Sequence, residues 1–303
     1  VLVSNRAGFS VFIVPFKGPI DRKVVKLLSD LVETSYESLE KKIQQNEGRV
    51  DPILVKADLT PEMIAKVEER RGDLPGVVIE AQAVRDYPNK EIAGHMLGYI
   101  SEINEEALKK RKELDYRSGD LIGQSGLEKF YDIELRGERG GSQIEVDVTG
   151  RPINVLGKKN PTPGLNLKLT VDIKLQRAME NAVDDHLKYL KLTGVDTQGV
   201  AVVALDPRNG KILGMVSRPV FNPNFFATGI SQKEWDKLRN NPFDPMTNKV
   251  ISGEYPPGSP FKVVAGLAAL EEKKLTPEEK YFDGGSHPLA KEKGNAGGAA
   301  LGW

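Results

Sequence analysis

The chain has 303 residues, room for about two domains and a substantial core, and its 43 Lys and Arg balance its 43 Asp and Glu. That balance leaves no bulk field to gather nucleic acid, and no stretch mixes Lys/Arg with aromatics as a local nucleic-acid patch would. Cysteine is absent, which excludes disulfides, thiolate nucleophiles and zinc–thiolate sites and fits an exported protein; the scattered His95, His186 and His287 argue against a histidine triad or a multi-histidine metal site.

The chain opens in VLVSNRAGFSVFIVP, rich in β-branched and aromatic residues and closed by Pro15, which predicts a strand. No run approaches the roughly 18 apolar residues of a membrane span, and the start lacks the pattern of a signal peptide. A soluble piece is expected, from which an N-terminal segment has been removed. From Asp21 to about Gln45, Val24, Leu28, Leu31, Tyr36, Leu39 and Ile43 recur at helical spacing. In LTPEMIAKVEER, Thr60 is placed to cap a helix with Pro61 at its first position and Glu62 in its first turn. GVVIEAQAVRDYP (76–88) predicts a second strand, and Gly119 to Gly141 combines glycine-bounded turns with a short helix around LEKFYDIELRG. The polar run KKNPTPG (158–164), with two prolines and a glycine, marks the expected domain boundary.

Beyond it, LNLKLTVD alternates Leu165, Leu167, Leu169 and Val171 and predicts a half-buried strand. Asp172 is placed to cap a helix whose apolar face is Leu175, Met179, Ala182, Val183, Leu187 and Leu190. GVAVVALDPRNGKILGMVS sets two apolar runs around DPRNG, a hairpin signal. Strand, helix, hairpin and a last apolar helix predict helices packed on an antiparallel sheet.

That last helix carries the chemistry. In GEYPPGSPFKVVAGLAALEE, Ser259-Pro260 first suggests an ordinary N-cap followed by proline. Lys262 does not fit that reading. A capping box wants Glu or Gln there, and a cation opposes the positive end of the helix dipole by about 0.3–1 kcal/mol. Because FKVVAGLAAL is apolar nearly all round, the lysine stem is expected to be buried, and burial and the dipole both favour the neutral amine. A neutral Lys262 on the same face as Ser259 is a base for its hydroxyl, and the helix N-terminus favours an oxyanion beside it. The competing structural reading is a snorkelling lysine that covers apolar surface.

YPPGSPFK (255–262), preceded by NKVISGE, resembles the nucleophile motif of class B penicillin-binding proteins of the cell-elongation type. RDYPNKEIAGHMLGYISEI (85–103), GDLIGQSGLEKFYDIELRGERG (119–140) and EVDVTGRPI (145–153) resemble the family's membrane-proximal pedestal. LKLTVDIKLQ (167–176) and VVALDPRNGKILGMVSRPVFNPNFF (202–226) resemble the start of its transpeptidase domain. The resemblance implies an α+β fold: an elongated α/β pedestal of the dimerisation type over residues 1–160, then the N-terminal part of a transpeptidase fold over 161–303. It implies a peptidoglycan D,D-transpeptidase, with Ser259 as nucleophile and Lys262 as its base, no metal and no organic cofactor. The implied partners are D-Ala-D-Ala stem peptides, β-lactam antibiotics, a SEDS-family polymerase and a shape-determining scaffold protein. The implied location is outside the cytoplasmic membrane, on a single N-terminal anchor. Arg85, Gly98, Glu128 and Gly137 are expected to be structural, the charged pair as a buried link between elements and the glycines as turns.

The family's Ser-x-Asn and Lys-Thr-Gly elements do not occur after Ser259, KLTG at 191–194 lies upstream in the wrong order, and only 44 residues follow the serine. The active site in this chain is therefore expected to be incomplete, and the tail from Asp283 to Trp303 has no family character. An inert pedestal that binds partners is the alternative from another class. A β-lactamase or penicillin-sensing receptor shares the Ser-x-x-Lys helix, but the long pedestal argues against both.

Overall fold

The computed structural model describes residues 1–15, 20–46, 52–117, 119–146, 152–195, 197 and 199–280. His287 and the glycine- and alanine-rich tail lie outside the described residues. The chain divides into two compact units, Val1–Gly253 and Glu254–Trp303.

The first unit begins with β1 (Ser4–Ile13), α1 (Arg22–Leu31), α2 (Tyr36–Gln45), β2 (Ile53–Lys56), α3 (Pro61–Glu69) and β3 (Val77–Asp86). The strands form an antiparallel sheet in the order β2–β1–β3, with β1 and β3 in register from Ser4↔Asp86 to Ile13↔Val77. Val11 and Ile13 of β1 pack under the three helices, against Val25 and Leu28 of α1, Leu39 of α2 and Met63 of α3. The helical spacing expected from Asp21 to Gln45 is cut in two. Glu33 takes a left-handed φ of 53°, and Ser35 starts a new helix by accepting from the Ser38 N–H at 3.4 Å. Thr60 caps α3 as its sequence predicts, accepting from the Met63 N–H at 3.3 Å.

Next come α4 (Gly94–Leu97), β4 (Ile100–Glu102), α5 (Glu105–Lys110), β5 (Leu121–Gly123), α6 (Gly126–Phe130), α7 (Asp132–Arg136), β6 (Gly141–Val146) and β7 (Pro152–Lys159). β4–β5 and β6–β7 are two-stranded antiparallel pairs. Arg85 Nε donates to the buried Glu128 at 2.8 Å, which ties β3 to α6 as the sequence suggests. Gly98 sits at φ +81°, where a Cβ would stand 1.9 Å from the Ser125 carbonyl oxygen. No side chain fits there. The run 158–164 is pinned to the stretch between α7 and β6, since Glu138 and Thr162 exchange backbone hydrogen bonds of 2.8 and 3.0 Å.

The unit closes with α8 (Ile173–Leu192), β8 (Val200–Leu205), β9 (Ile212–Arg218), α9 (Asn224–Ala227), α10 (Gln232–Arg239) and α11 (Lys249–Ser252). Asp172 caps α8, accepting from the Lys174 and Leu175 N–H groups at 2.8 and 3.2 Å. β8 and β9 form the predicted hairpin, and the Asp206 carboxylate organises its turn by accepting from the backbone and side chain of Arg208. One expectation fails and another holds in part. LNLKLTVD is no strand: it meets β9 through the Asp172 N–H to Leu213 backbone bond, short of a ladder, and Leu165 and Leu167 are exposed. On α8, Met179, Val183, Leu187 and Leu190 of the expected apolar face are half-buried, but Leu175 and Ala182 are exposed and the fully buried positions are polar, Gln176 and Glu180. The mixed helix-and-sheet architecture agrees with the expected α+β class.

In the second unit the described structure is α12 (Phe261–Glu271) and its flanking turns. No residue of α12 is buried, and Val263 and Leu267 are 67% and 59% exposed.

Candidate active site

Gly258, Ser259 and Pro260 turn the chain into α12. Gly258 has φ +57° with open space around it, so its need for glycine is conformational, not steric. The Phe261 N–H donates to the Gly258 carbonyl at 3.1 Å and the Lys262 N–H to the Ser259 carbonyl at 3.0 Å. Ser259 and Lys262 are thus one turn apart, joined through the backbone. The helix begins one residue later than its sequence suggests. Pro260 is the N-cap, already helical at φ −55° and ψ −28°, and no side-chain hydrogen bond caps the end. A capping side chain is normally aimed by an extended backbone at the cap position. Ser259 does not occupy that position, so its hydroxyl is not consumed in holding the helix.

Lys262 departs from expectation in its surroundings. The sequence predicts a buried stem, yet Lys262 is exposed, as are Phe261, Val263 and Val264 around it. An all-apolar helix is covered only where other elements pack on it, and the described residues of this unit supply none. The arrangement can nevertheless do one thing chemically. It sets a hydroxyl and an amine one turn apart at the positive end of a helix, where an oxyanion forming beside the serine is favoured.

The perturbed groups of the first unit are of another kind. His95 Nε2 lies 2.8 Å from the Pro245 carbonyl oxygen, and its pKa falls from 6.5 to about 4 because burial disfavours the imidazolium. Burial, and next the charge of Glu128, pushes the Tyr87 phenol up. On α8, Glu180 Oε1 accepts from Gln176 Nε2 at 2.6 Å, and Glu180 Oε2 accepts from Arg218 at 3.0 Å. Arg218 also donates to Asp184 at 2.6 and 3.0 Å. Sequence reading passed over this network. Its signal was present, since Gln176, Glu180 and Asp184 recur every four residues along one helix face. Among the described residues no cluster of three or more His, Cys, Asp or Glu could hold a metal ion, and no helix is long and apolar enough to cross a membrane.

A serine and a lysine one turn apart at the mouth of an apolar helix, preceded along the chain by a helix-on-hairpin layer and an antiparallel sheet under three helices, give the order of parts that the resemblance to penicillin-binding proteins predicts. The family comparison agrees: residues 1–169 match the penicillin-binding protein dimerisation domain and residues 200–296 the penicillin-binding protein transpeptidase domain. The chain belongs to the penicillin-binding proteins. It is similar to the peptidoglycan D,D-transpeptidase MrdA of Acinetobacter baumannii, 35% identical over 82% of this chain and 35% of that protein. The Escherichia coli K12 protein of the same name is 31% identical over 94% of this chain and 44% of its own length. Penicillin-binding protein 3 of Bacillus subtilis is 36% identical over 87% of this chain and 37% of its own. In structure the chain is similar to penicillin-binding protein 2 of Helicobacter pylori, solved in complex with MreC, with a TM-score of 0.72 and 26% identity over 92% of this chain and 51% of that one. The chain therefore spans less than half the length of these curated relatives.

Proposed function

We propose that the protein is a peptidoglycan D,D-transpeptidase of cell-wall elongation. The observation that carries this reading is the serine hydroxyl left free of capping, one turn from Lys262, in a chain whose relatives are named transpeptidases. Ser259 Oγ attacks the carbonyl of the penultimate D-alanine of a stem peptide while Lys262 takes the hydroxyl proton. The tetrahedral intermediate collapses, the C–N bond breaks, and the terminal D-alanine leaves with that proton on its amine. An amine from a neighbouring strand then attacks the ester, forms the cross-link and returns Ser259. β-Lactams present the same acyl group in strained form and leave a stable adduct on Ser259.

The same reading divides the chain into a pedestal, residues 1–160, and the first part of the catalytic domain, 161–303. It assigns a shape-determining scaffold of the MreC kind and a SEDS-family polymerase as partners, and places the protein outside the cytoplasmic membrane on an N-terminal anchor. Fluorescent penicillin applied to the protein as the cell makes it tests the chemistry. Labelling is expected in the wild type and absent in Ser259→Ala; labelling that persists in the variant rejects the assignment.

A second reading treats this stretch as a binding module without chemistry of its own. The solved complex of its structural neighbour with MreC favours it. The two readings separate if a Ser259→Ala protein is tested for both penicillin labelling and scaffold binding.

A further inference from the structure

The corner between β3 and α4 is bonded to partners far away in sequence. The Tyr87 N–H donates to Asn224 Oδ1 at 2.9 Å, and Asn224 Nδ2 donates to the Tyr87 carbonyl at 2.9 Å. One side-chain amide thus takes both backbone groups of Tyr87, as a neighbouring strand would. Six residues on, Ala93 has a left-handed φ of 58° and donates its N–H to Glu180 Oε1 at 2.8 Å. His95 meets the Pro245 carbonyl at 2.8 Å and stands edge-on to Phe221, while Tyr99 stacks on Phe226 with ring centroids 4.0 Å apart. Behind this surface the same polar groups fix β9. Gln176, which donates to Glu180, also binds both the N–H and the carbonyl of Met215, at 2.8 and 2.7 Å.

We infer that residues 87–99 are an internal plug of the α8–β9–α9 half, folding and opening with it and not with the N-terminal sheet that precedes them. This segment lies inside the region matched by the dimerisation-domain family, residues 1–169, so the structural allegiance of the corner crosses the family boundary. The physical reason is the number of buried polar groups that one movement would strand. Withdrawing the corner breaks together the bonds of the half-buried Asn224 amide, the buried Glu180 carboxylate and the buried Pro245 carbonyl, and uncovers Phe221 and Phe226. Those losses come together, so the corner stays seated as long as α8, β9 and α9 keep their places. The inference does not rest on acylation at Ser259.

Amide hydrogen exchange across a urea series, read by mass spectrometry on the whole chain, tests it. The amides of Tyr87, Ala93, Leu97 and Gly98 are expected to exchange in step with α8 and β9, at a urea concentration distinct from that of α1–α3. Asn224→Ala should speed exchange in the corner and in α8 and β9 together, by about thirtyfold, the worth of the two net hydrogen bonds that its amide makes to Tyr87, and leave α1–α3 unchanged. Asn224→Asp, which keeps an acceptor for the Tyr87 N–H, should fall between. Exchange of the corner in step with α1–α3 overturns the inference. So does uniform exchange across residues 1–253, or an Asn224→Ala effect confined to the residues adjoining Tyr87.

Discussion

Ser259 and Lys262 make different demands on a substitution. In the proposed mechanism Ser259→Ala removes the atom that forms the ester, so no adduct is expected at any time of incubation. In the same mechanism Lys262→Ala leaves the nucleophile but removes the group that takes its proton, and positioned general bases contribute about 10²–10⁴-fold. Acylation by a fluorescent penicillin should slow by that range, measured as a time course with the adduct confirmed by intact mass. Lys262→Arg should be as slow as alanine, because a guanidinium keeps its charge and cannot act as a base. Full-speed acylation in either Lys262 variant removes the lysine from the mechanism. His95 gives a second prediction at this scale, on stability. Its pKa is lowered from 6.5 to about 4, so between those values the unfolded chain binds the proton and the folded one does not. Stability from this group is whole above pH 6.5 and is lost as pH falls toward 4, by about 2 kcal/mol at pH 5 and about 3 kcal/mol in all. Urea midpoints at pH 7 and pH 5 should differ accordingly, and the His95 share of the difference should vanish in His95→Gln.

Among the elements, α8 shows where the sequence is readable and where it is not. Its N-cap, its length and the following hairpin are local matters, set by Asp172 and by the Asp206 turn, and the sequence announces them. Its buried face is not local. Gln176 and Glu180 are buried because backbone and guanidinium groups of β9 and a backbone N–H of the β3–α4 corner come to meet them, and no helical periodicity contains those partners. In the same way LNLKLTVD has strand periodicity without being a strand: it meets β9 through the Asp172 N–H and the Thr170 hydroxyl, contacts that periodicity does not encode and that make no ladder. The Ser259 site divides along the same line. The one-turn spacing was legible, whereas the buried lysine was inferred from an apolar helix whose cover is not among its own residues. Two substitutions test the elements. Arg218→Met should strand the buried Glu180 carboxylate and cost about 3–5 kcal/mol in urea unfolding, whereas the partly exposed Asp184 can turn to water. An unchanged urea midpoint would mean that the network contributes no stability. Gly98→Ala forces a Cβ onto the Ser125 carbonyl at a positive φ, and should loosen the packing of α4 on α6, seen as lost exchange protection in both.

For the molecule as a whole, the proposed chemistry and the proposed partner binding sit in different places along the chain. Ser259 and Lys262 lie in the unit that begins at Glu254, whereas the sheet under α1–α3 and the dimerisation-domain region lie in the unit that ends at Gly253. With 43 basic and 43 acidic residues there is no long-range field to couple a charge change at one to binding at the other. A serine-to-alanine change at an exposed turn removes one hydroxyl and no buried contact, so it should not alter the first unit. The expected outcome is therefore a clean separation: Ser259→Ala abolishes penicillin labelling and leaves affinity for an MreC-type scaffold within about twofold of wild type, measured by calorimetry on the protein as the cell makes it. Substitutions that break the first sheet, such as Val11→Asp at its buried centre, should do the reverse to binding, because an unpaired carboxylate there unseats α1–α3. Scaffold affinity that falls together with labelling in Ser259→Ala would show that the partner reads the nucleophile turn itself, and the pedestal would lose its assignment as the docking half.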